Sequence, residues 1–223
     1  VTTTGMSDEG YTPYLYIISA GESINDLNVD SVDLSDNIYL EDRAGNKLTT
    51  RTIPAGVNLA DNKELMVDTD APTPGIINDG GIVYSSSTDT LAASWSGFVD
   101  TLSGIASYEY SIGTGPDNSN VLPWTDNDTL TSVTNTALTL SNGITYYLSV
   151  RALDVAGNIS DTISTDGITI DVSPPVAGYV HDGLQEDEVW TNTEDMLELS
   201  WYDFEDSLTG IASYEYAFGF SPG

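Results

Sequence analysis

The chain contains no cysteine, so neither a disulfide framework nor a thiolate metal site is open to it. Its single histidine, His181, argues against histidine-built metal sites and against Ser-His-Asp catalysis. Basic residues are scarce: 5 Lys and Arg stand against 35 Asp and Glu, a formal net charge of −30 over 223 residues. Without a basic stripe to displace counterions from phosphates, nucleic acid is not expected as a partner, and an anionic membrane surface is disfavoured for the same reason. Long apolar runs are missing too. The stretch Tyr14-Leu-Tyr-Ile-Ile18 falls far short of a bilayer span, so no membrane insertion is expected. The start, Val1-Thr2-Thr3-Thr4, has no Met, basic n-region or apolar h-region, so a targeting segment is expected to have been removed or to lie outside these residues. No window carries an apolar stripe at helical spacing.

What is present suffices for packed cores. Hydrophobic residues make up 39% of the chain and include 13 Tyr and 4 Trp, which argues against wholesale disorder. The run Trp95-Ser-Gly-Phe-Val-Asp-Thr-Leu-Ser-Gly-Ile-Ala-Ser-Tyr-Glu-Tyr-Ser-Ile-Gly-Thr-Gly-Pro116 returns without a gap as Trp201-Tyr-Asp-Phe-Glu-Asp-Ser-Leu-Thr-Gly-Ile-Ala-Ser-Tyr-Glu-Tyr-Ala-Phe-Gly-Phe-Ser-Pro222, 106 positions later. Upstream, Asp68-Thr-Asp-Ala-Pro-Thr-Pro-Gly75 pairs with Asp171-Val-Ser-Pro-Pro-Val-Ala-Gly178 at a spacing of 103. A period near 105 fits a β-sandwich module better than a solenoid repeat. Pro72, Pro74, Pro174 and Pro175 then mark extended, stiff joints, because proline fixes φ and restricts the residue before it. The expected units are residues 1–70, 71–172 and 173–223, each acidic.

Within the middle unit the pattern is that of strands. Leu91, Ala93 and Trp95 alternate with Ala92 and Ser94. Tyr108, Tyr110 and Ile112 alternate with Ser107, Glu109 and Ser111, and Tyr146, Leu148, Val150 and Ala152 alternate with Tyr147, Ser149 and Arg151. Each run predicts one face toward a core and one toward water. Turns fall at Thr114–Asp117, Ser141-Asn142-Gly143 and Ala156-Gly157-Asn158. The fold class is all-β.

The middle unit resembles a fibronectin type III or related immunoglobulin-like domain. Trp95 and Tyr108-x-Tyr110-x-Ile112 match that family's second and third strands; Leu140, Asn142-Gly143, Tyr146, Leu148, Val150 and Ala152 match the approach to its sixth strand. The resemblance implies a tyrosine corner, in which the Tyr146 hydroxyl ties the preceding loop to the backbone. Residues 1–70 resemble the C-terminal part of a bacterial immunoglobulin-like repeat of long surface proteins, through Ile18-Ser-Ala-Gly-Glu22, Asn25-Asp-Leu-Asn-Val29, Leu40-Glu-Asp-Arg-Ala-Gly-Asn46 and Ala60–Pro72. Residues 173–223 resemble the N-terminal part of a second fibronectin type III-like domain. The chain is therefore expected to be a piece of a longer tandem array of β-sandwiches, with incomplete domains at both ends.

The resemblance also implies that the incoming linker, the loop after the second strand and the loop before the last strand share one pole of the sandwich. For the middle unit this gathers Asp68, Asp70, Asp100, Asp154 and Asn158. Carboxylates crowded at one pole repel one another unless a cation sits between them, and Ca²⁺ takes about 6–8 hard oxygen ligands. Calcium is the expected cofactor there. A second, thinner set consists of Asp171, Asp203 and Asp206, with Asp171-Val-Ser in place of Asp68-Thr-Asp. The same residues have a plainer reading as turn formers whose side chains bond nearby backbone N–H groups, and both readings stand at this point.

Other acidic pairs, Glu186-Asp-Glu188 and Glu194-Asp195, lie among like charges and read as a solvated face rather than a glycosidase pair. Trp124, in Leu122-Pro-Trp-Thr125, is a candidate platform for a surface glycan, with edge cover as its alternative role. The reading that results is a non-catalytic structural or adhesive module array of a large extracellular or cell-surface microbial protein. Its partners would be neighbouring repeats of the same chain, with like subunits in a filament or a surface glycan as further candidates. The rival readings are accessory domains of a secreted hydrolase, or a glycan-binding module.

Overall fold

The computed structural model describes residues 18–28, 44–47, 55–183 and 196–219. Among them are eleven strands and one four-residue helix, so the protein is all-β. The helix, α1 (Leu59–Asn62), is a single capped turn: the Asn58 side chain accepts from the Leu59 N–H, and the Asp61 carboxylate accepts from the backbone N–H of Asn58. The strands are β1 (Ile76–Asn78), β2 (Tyr84–Ser85), β3 (Leu91–Ser96), β4 (Ile105–Gly113), β5 (Leu122–Asp126) and β6 (Ser132–Asn135), followed by β7 (Thr145–Asp154), β8 (Ile163–Ser164), β9 (Ile168–Ile170), β10 (Tyr179–Asp182) and β11 (Leu199–Tyr202). By its internal contacts the chain divides into two compact units. One comprises Val1–Gly75, Gly97–Glu109 and Arg151–Asp161; the other comprises Ile76–Ser96, Tyr110–Val150 and Thr162–Gly223.

The second unit holds the sandwich core. One sheet runs β1-β3-β6 and the other β2-β9-β7-β4-β5, with β8 paired to β7. Leu91 and Ala93 from the first sheet pack with Ile112, Tyr146, Leu148, Ile168 and Ile170 from the second, and Leu140 closes the cluster from the loop before β7. The strict alternation of β3, buried at Leu91, Ala93 and Trp95 and exposed between them, follows the sequence pattern. The Tyr146 hydroxyl accepts a hydrogen bond from the Ser141 N–H at 2.9 Å, so the tyrosine corner implied by the resemblance is present.

Two residues depart from the alternation. Ser111 and Ser149, expected to face water, are fully buried. The loop after β4 covers them. Asp117, held at φ 60°, donates its N–H to the hydroxyls of Ser149 and Ser164, and Ser111 reaches the Asn118 carbonyl. A Cβ at Gly113 would overlap the Asn118 backbone, so that glycine is what lets the loop lie so close. With their hydroxyls bonded, serines are admissible in the interior.

The sequence repeat is also a repeat of backbone pairing. In the first unit Thr73 and Val99 form an isolated antiparallel bridge; in the second unit Val176 and Glu205 form its counterpart, 103 and 106 positions on. Packing separates the copies. Trp95, Tyr110 and Ile112 are buried, whereas Trp201, Tyr216 and Phe218 are exposed, with Trp201 stacked on Tyr216 and tilted against Tyr214. The β10–β11 hairpin aligns Val180 with Trp201 and His181 with Ser200, and His181 Nε2 is hydrogen-bonded to the Tyr202 hydroxyl at 2.7 Å.

In the first unit, Ile24 and Val67 pair through reciprocal bonds of 2.7 and 2.8 Å, Phe98 packs edge-on against Tyr108, and Arg151 forks onto Glu109 at 2.6 and 2.8 Å.

Candidate metal centre

Three backbone pairings in the first unit place the acidic residues. The Ile24–Val67 bridge precedes Asp68, the Thr73–Val99 bridge precedes Asp100, and the Leu153–Ile159 bridge closes a turn with Asp154 at its base. One carboxylate oxygen each of Asp68, Asp100 and Asp154 lies within 4.8 Å of the others. Asp154 is buried, and Asp68 and Asp100 are half-buried.

Each carboxylate also organises its own loop. Asp154 Oδ1 accepts from the N–H groups of Gly157 and Asn158 at 2.6 and 2.8 Å. Asp100 Oδ1 accepts from Gly104 and Leu102 at 2.6 and 3.2 Å and takes a longer bond from the Ser103 hydroxyl. Asp68 takes the Asp70 N–H on one oxygen and the Ser103 N–H on the other. Hydrogen bonding from the Ser103 side chain, with smaller contributions from the Asp70 and Ser103 N–H groups, holds the Asp68 carboxyl below the usual carboxylate range against a modest opposing effect of burial. The turn-forming role is therefore real, and it leaves lone pairs over, because a carboxylate offers about four acceptor sites.

The remaining residues of the expected set divide. Asn158 cross-links the site, donating through Nδ2 to the Asp68 carbonyl at 3.2 Å and to Asp154 Oδ2 at 2.8 Å. The Asp70 carboxylate accepts from the Ser23 hydroxyl at 2.6 Å and is not one of the three convergent groups. Ser103 is a site residue that sequence reasoning passes over, because a hydroxyl with no base nearby in the chain suggests no chemistry. The signal that points to it is the recurrence of Asp100-Thr-Leu-Ser-Gly104 as Asp206-Ser-Leu-Thr-Gly210. Asp206 Oδ1 accepts from the N–H groups of Leu208, Thr209 and Gly210 in the same manner, which lowers its pKa.

In the second set, Asp171 Oδ1 accepts the Ser173 N–H, as Asp68 does that of Asp70, and Asp203 sits in the left-handed region at φ 59°. Among the described residues, a group of three carboxylates close enough to share an ion forms at Asp68, Asp100 and Asp154 and not at Asp171, Asp203 and Asp206. Trp124 lies half-buried in the middle of β5. Asp42, Arg43, Glu186, Asp187, Glu188, Trp190, Glu194 and Asp195 lie outside the described residues.

The donor set fits a hard divalent cation. Its ligand atoms are carboxylate oxygens, and among the described residues the hydrogen-bond donors reaching them are neutral N–H, hydroxyl and amide groups. Two unit charges at about 4.8 Å repel by about 1 kcal/mol in water and about 3.5 kcal/mol at an effective dielectric of about 20, so three together favour a counterion. No helix of the described residues is long and apolar enough to cross a membrane.

No protein-family model and no curated protein matches the chain. Among solved structures it is similar to the FN1–FN3 domains of chicken CNTN1, at 20% identity and a TM-score of 0.33 over 50% of this chain and 37% of that one. It is also similar to the twitchin kinase region from C. elegans, at 17% identity and a TM-score of 0.31 over 46% of this chain and 17% of that one. The matches thus span less than two fifths of either structure. Both structures contain fibronectin type III domains.

Proposed function

We propose that the chain is part of a non-catalytic tandem array of immunoglobulin-like and fibronectin type III-like modules, divided at residues 1–70, 71–172 and 173–223. In this reading it belongs to a large extracellular or surface microbial protein and serves as a calcium-stiffened spacer, stalk or filament component. The observation that carries the reading is the meeting of Asp68, Asp100 and Asp154 within 4.8 Å. Asp68 belongs to the segment that enters the middle module, whereas Asp100 and Asp154 belong to two of that module's own loops. A cation held by all three ties linker to module and restricts bending there without a disulfide. Ca²⁺ supplies charge neutralisation and a coordination shell; Ser103, Gly104, Gly157 and Asn158 hold the carboxylates in place by hydrogen bonds.

The test is isothermal titration of the full chain with CaCl₂, paired with small-angle scattering in calcium and in chelator. Saturable binding with a narrower spread of particle dimensions supports the reading. Absence of heat up to millimolar calcium, with scattering unchanged by chelation, overturns it.

A further inference from the structure

Asn142-Gly143 is the one Asn-Gly pair in the chain. It forms the turn before β7, with the Ile144 N–H returning to the Ser141 carbonyl at 3.3 Å and Gly143 at φ 76°. The Asn142 side chain faces the segment that leaves β9 and uses both ends of its amide there. Oδ1 accepts the Val172 N–H at 2.9 Å, and Nδ2 donates to the Ser173 hydroxyl at 2.9 Å. The Gly143 N–H donates to the Ile170 carbonyl at 2.7 Å. Another turn, Ser19-Ala20-Gly21-Glu22, also closes from its fourth N–H to its first carbonyl, and it docks on its neighbouring segment through the Gly21 N–H to Thr69 Oγ1, with no asparagine in the turn. Segment 171–173 is therefore pinned by the Asn142 side-chain amide.

We propose that Asn142 is a latch on residues 171–173 and a deamidation site that the closed latch protects. The reaction requires the Gly143 backbone nitrogen, on losing its proton, to attack Cγ of Asn142. The Cγ–Nδ2 bond breaks, ammonia leaves, and water opens the resulting succinimide to aspartate or isoaspartate; the net change is one amide and one water converted to a carboxylate and ammonium. Two features oppose it while the segment is docked. The Gly143 N–H is committed to the Ile170 carbonyl, and the Asn142 amide is fixed at both ends. Deamidation therefore waits on opening of the 143–170 pair. Once it occurs, the amide donor to Ser173 is lost and, in the isoaspartate product, the main chain of the turn is one carbon longer, so the segment does not re-dock as before. Opening of this joint is thereby recorded covalently.

The full chain is incubated at mildly alkaline pH, native and in urea, and Asn142 is followed by fragment mass spectrometry for a gain of about 1 Da. The native chain is expected to react at least about tenfold more slowly than the unfolded one. Ser173→Ala, which removes one latch bond and leaves Asn142-Gly143 intact, is expected to raise the native rate. In Asn142→Ala, which removes the acceptor of the Val172 N–H, hydrogen exchange at Val172 is expected to speed up while that at Leu148 in the core stays unchanged. Equal rates in native and unfolded chain, or unaltered exchange at Val172 in Asn142→Ala, would overturn the proposal.

Discussion

Asp100→Asn separates the two roles of the cluster. Asp100 Oδ1 carries the loop bonds to Leu102 and Gly104, and an asparagine retains that oxygen as an acceptor. Its other oxygen becomes an NH₂ group able to donate toward Asp68 or Asp154. The substitution removes one charge from two close pairs, each worth about 1 kcal/mol at the solvent-screened end of the Coulomb range, as suits a half-buried group. Against this stands the weakening of two charge-assisted bonds to neutral ones, about 1 kcal/mol in all. In chelator, Asp100→Asn is thus expected to match the parent or exceed it by up to about 1 kcal/mol. In calcium the order reverses. At a concentration about a hundredfold above Kd the parent gains about 2.7 kcal/mol and the variant, short of a ligand, gains little. That difference corresponds to roughly 10 °C in Tm for a module of about 100 residues. Thermal unfolding of both proteins with and without calcium reads the crossing directly. A variant several degrees below the parent in chelator, with both indifferent to calcium, would show that the cluster is a turn-forming device and nothing more.

Three further outcomes test the surrounding structure. Asp68 has its pKa lowered in the fold, so it stabilises the native state above its unfolded value, near pH 4, and that contribution disappears as pH falls through the lower folded value; Asp68→Asn should flatten the acid limb of a stability–pH curve. Tyr146→Phe removes the acceptor of the Ser141 N–H and should cost about 1–2 kcal/mol in chemical denaturation, with the fold retained. Leu148→Ala opens a cavity at a residue only 1% exposed and should cost about 2–5 kcal/mol; a cost below 1 kcal/mol would mean that the β7 face is not core.

How much is legible in the sequence depends on how local the determinant is. Alternation decides which face a residue occupies within its own strand, and so Leu91, Ala93, Trp95, Tyr146 and Leu148 are identifiable as core from the chain alone. The paired backbone bridges at Thr73 and Val176 are likewise foreshadowed by the spacings of 103 and 106, because a gapless repeat of side chains repeats its turn chemistry. The burial of Ser111 and Ser149 is not legible in this way, since what covers them is a loop folding back from outside their strands. At the acidic cluster, composition supplies the candidates, but three-dimensional approach chooses among them. Asp68, Asp100 and Asp154 converge from positions up to 86 residues apart, whereas Asp70, two residues from Asp68, turns away to Ser23. Local periodicity and turn residues determined the all-β architecture because they act over a few residues. Which carboxylates meet, and which serines are covered, was decided by pairings between distant segments that no short window of sequence contains.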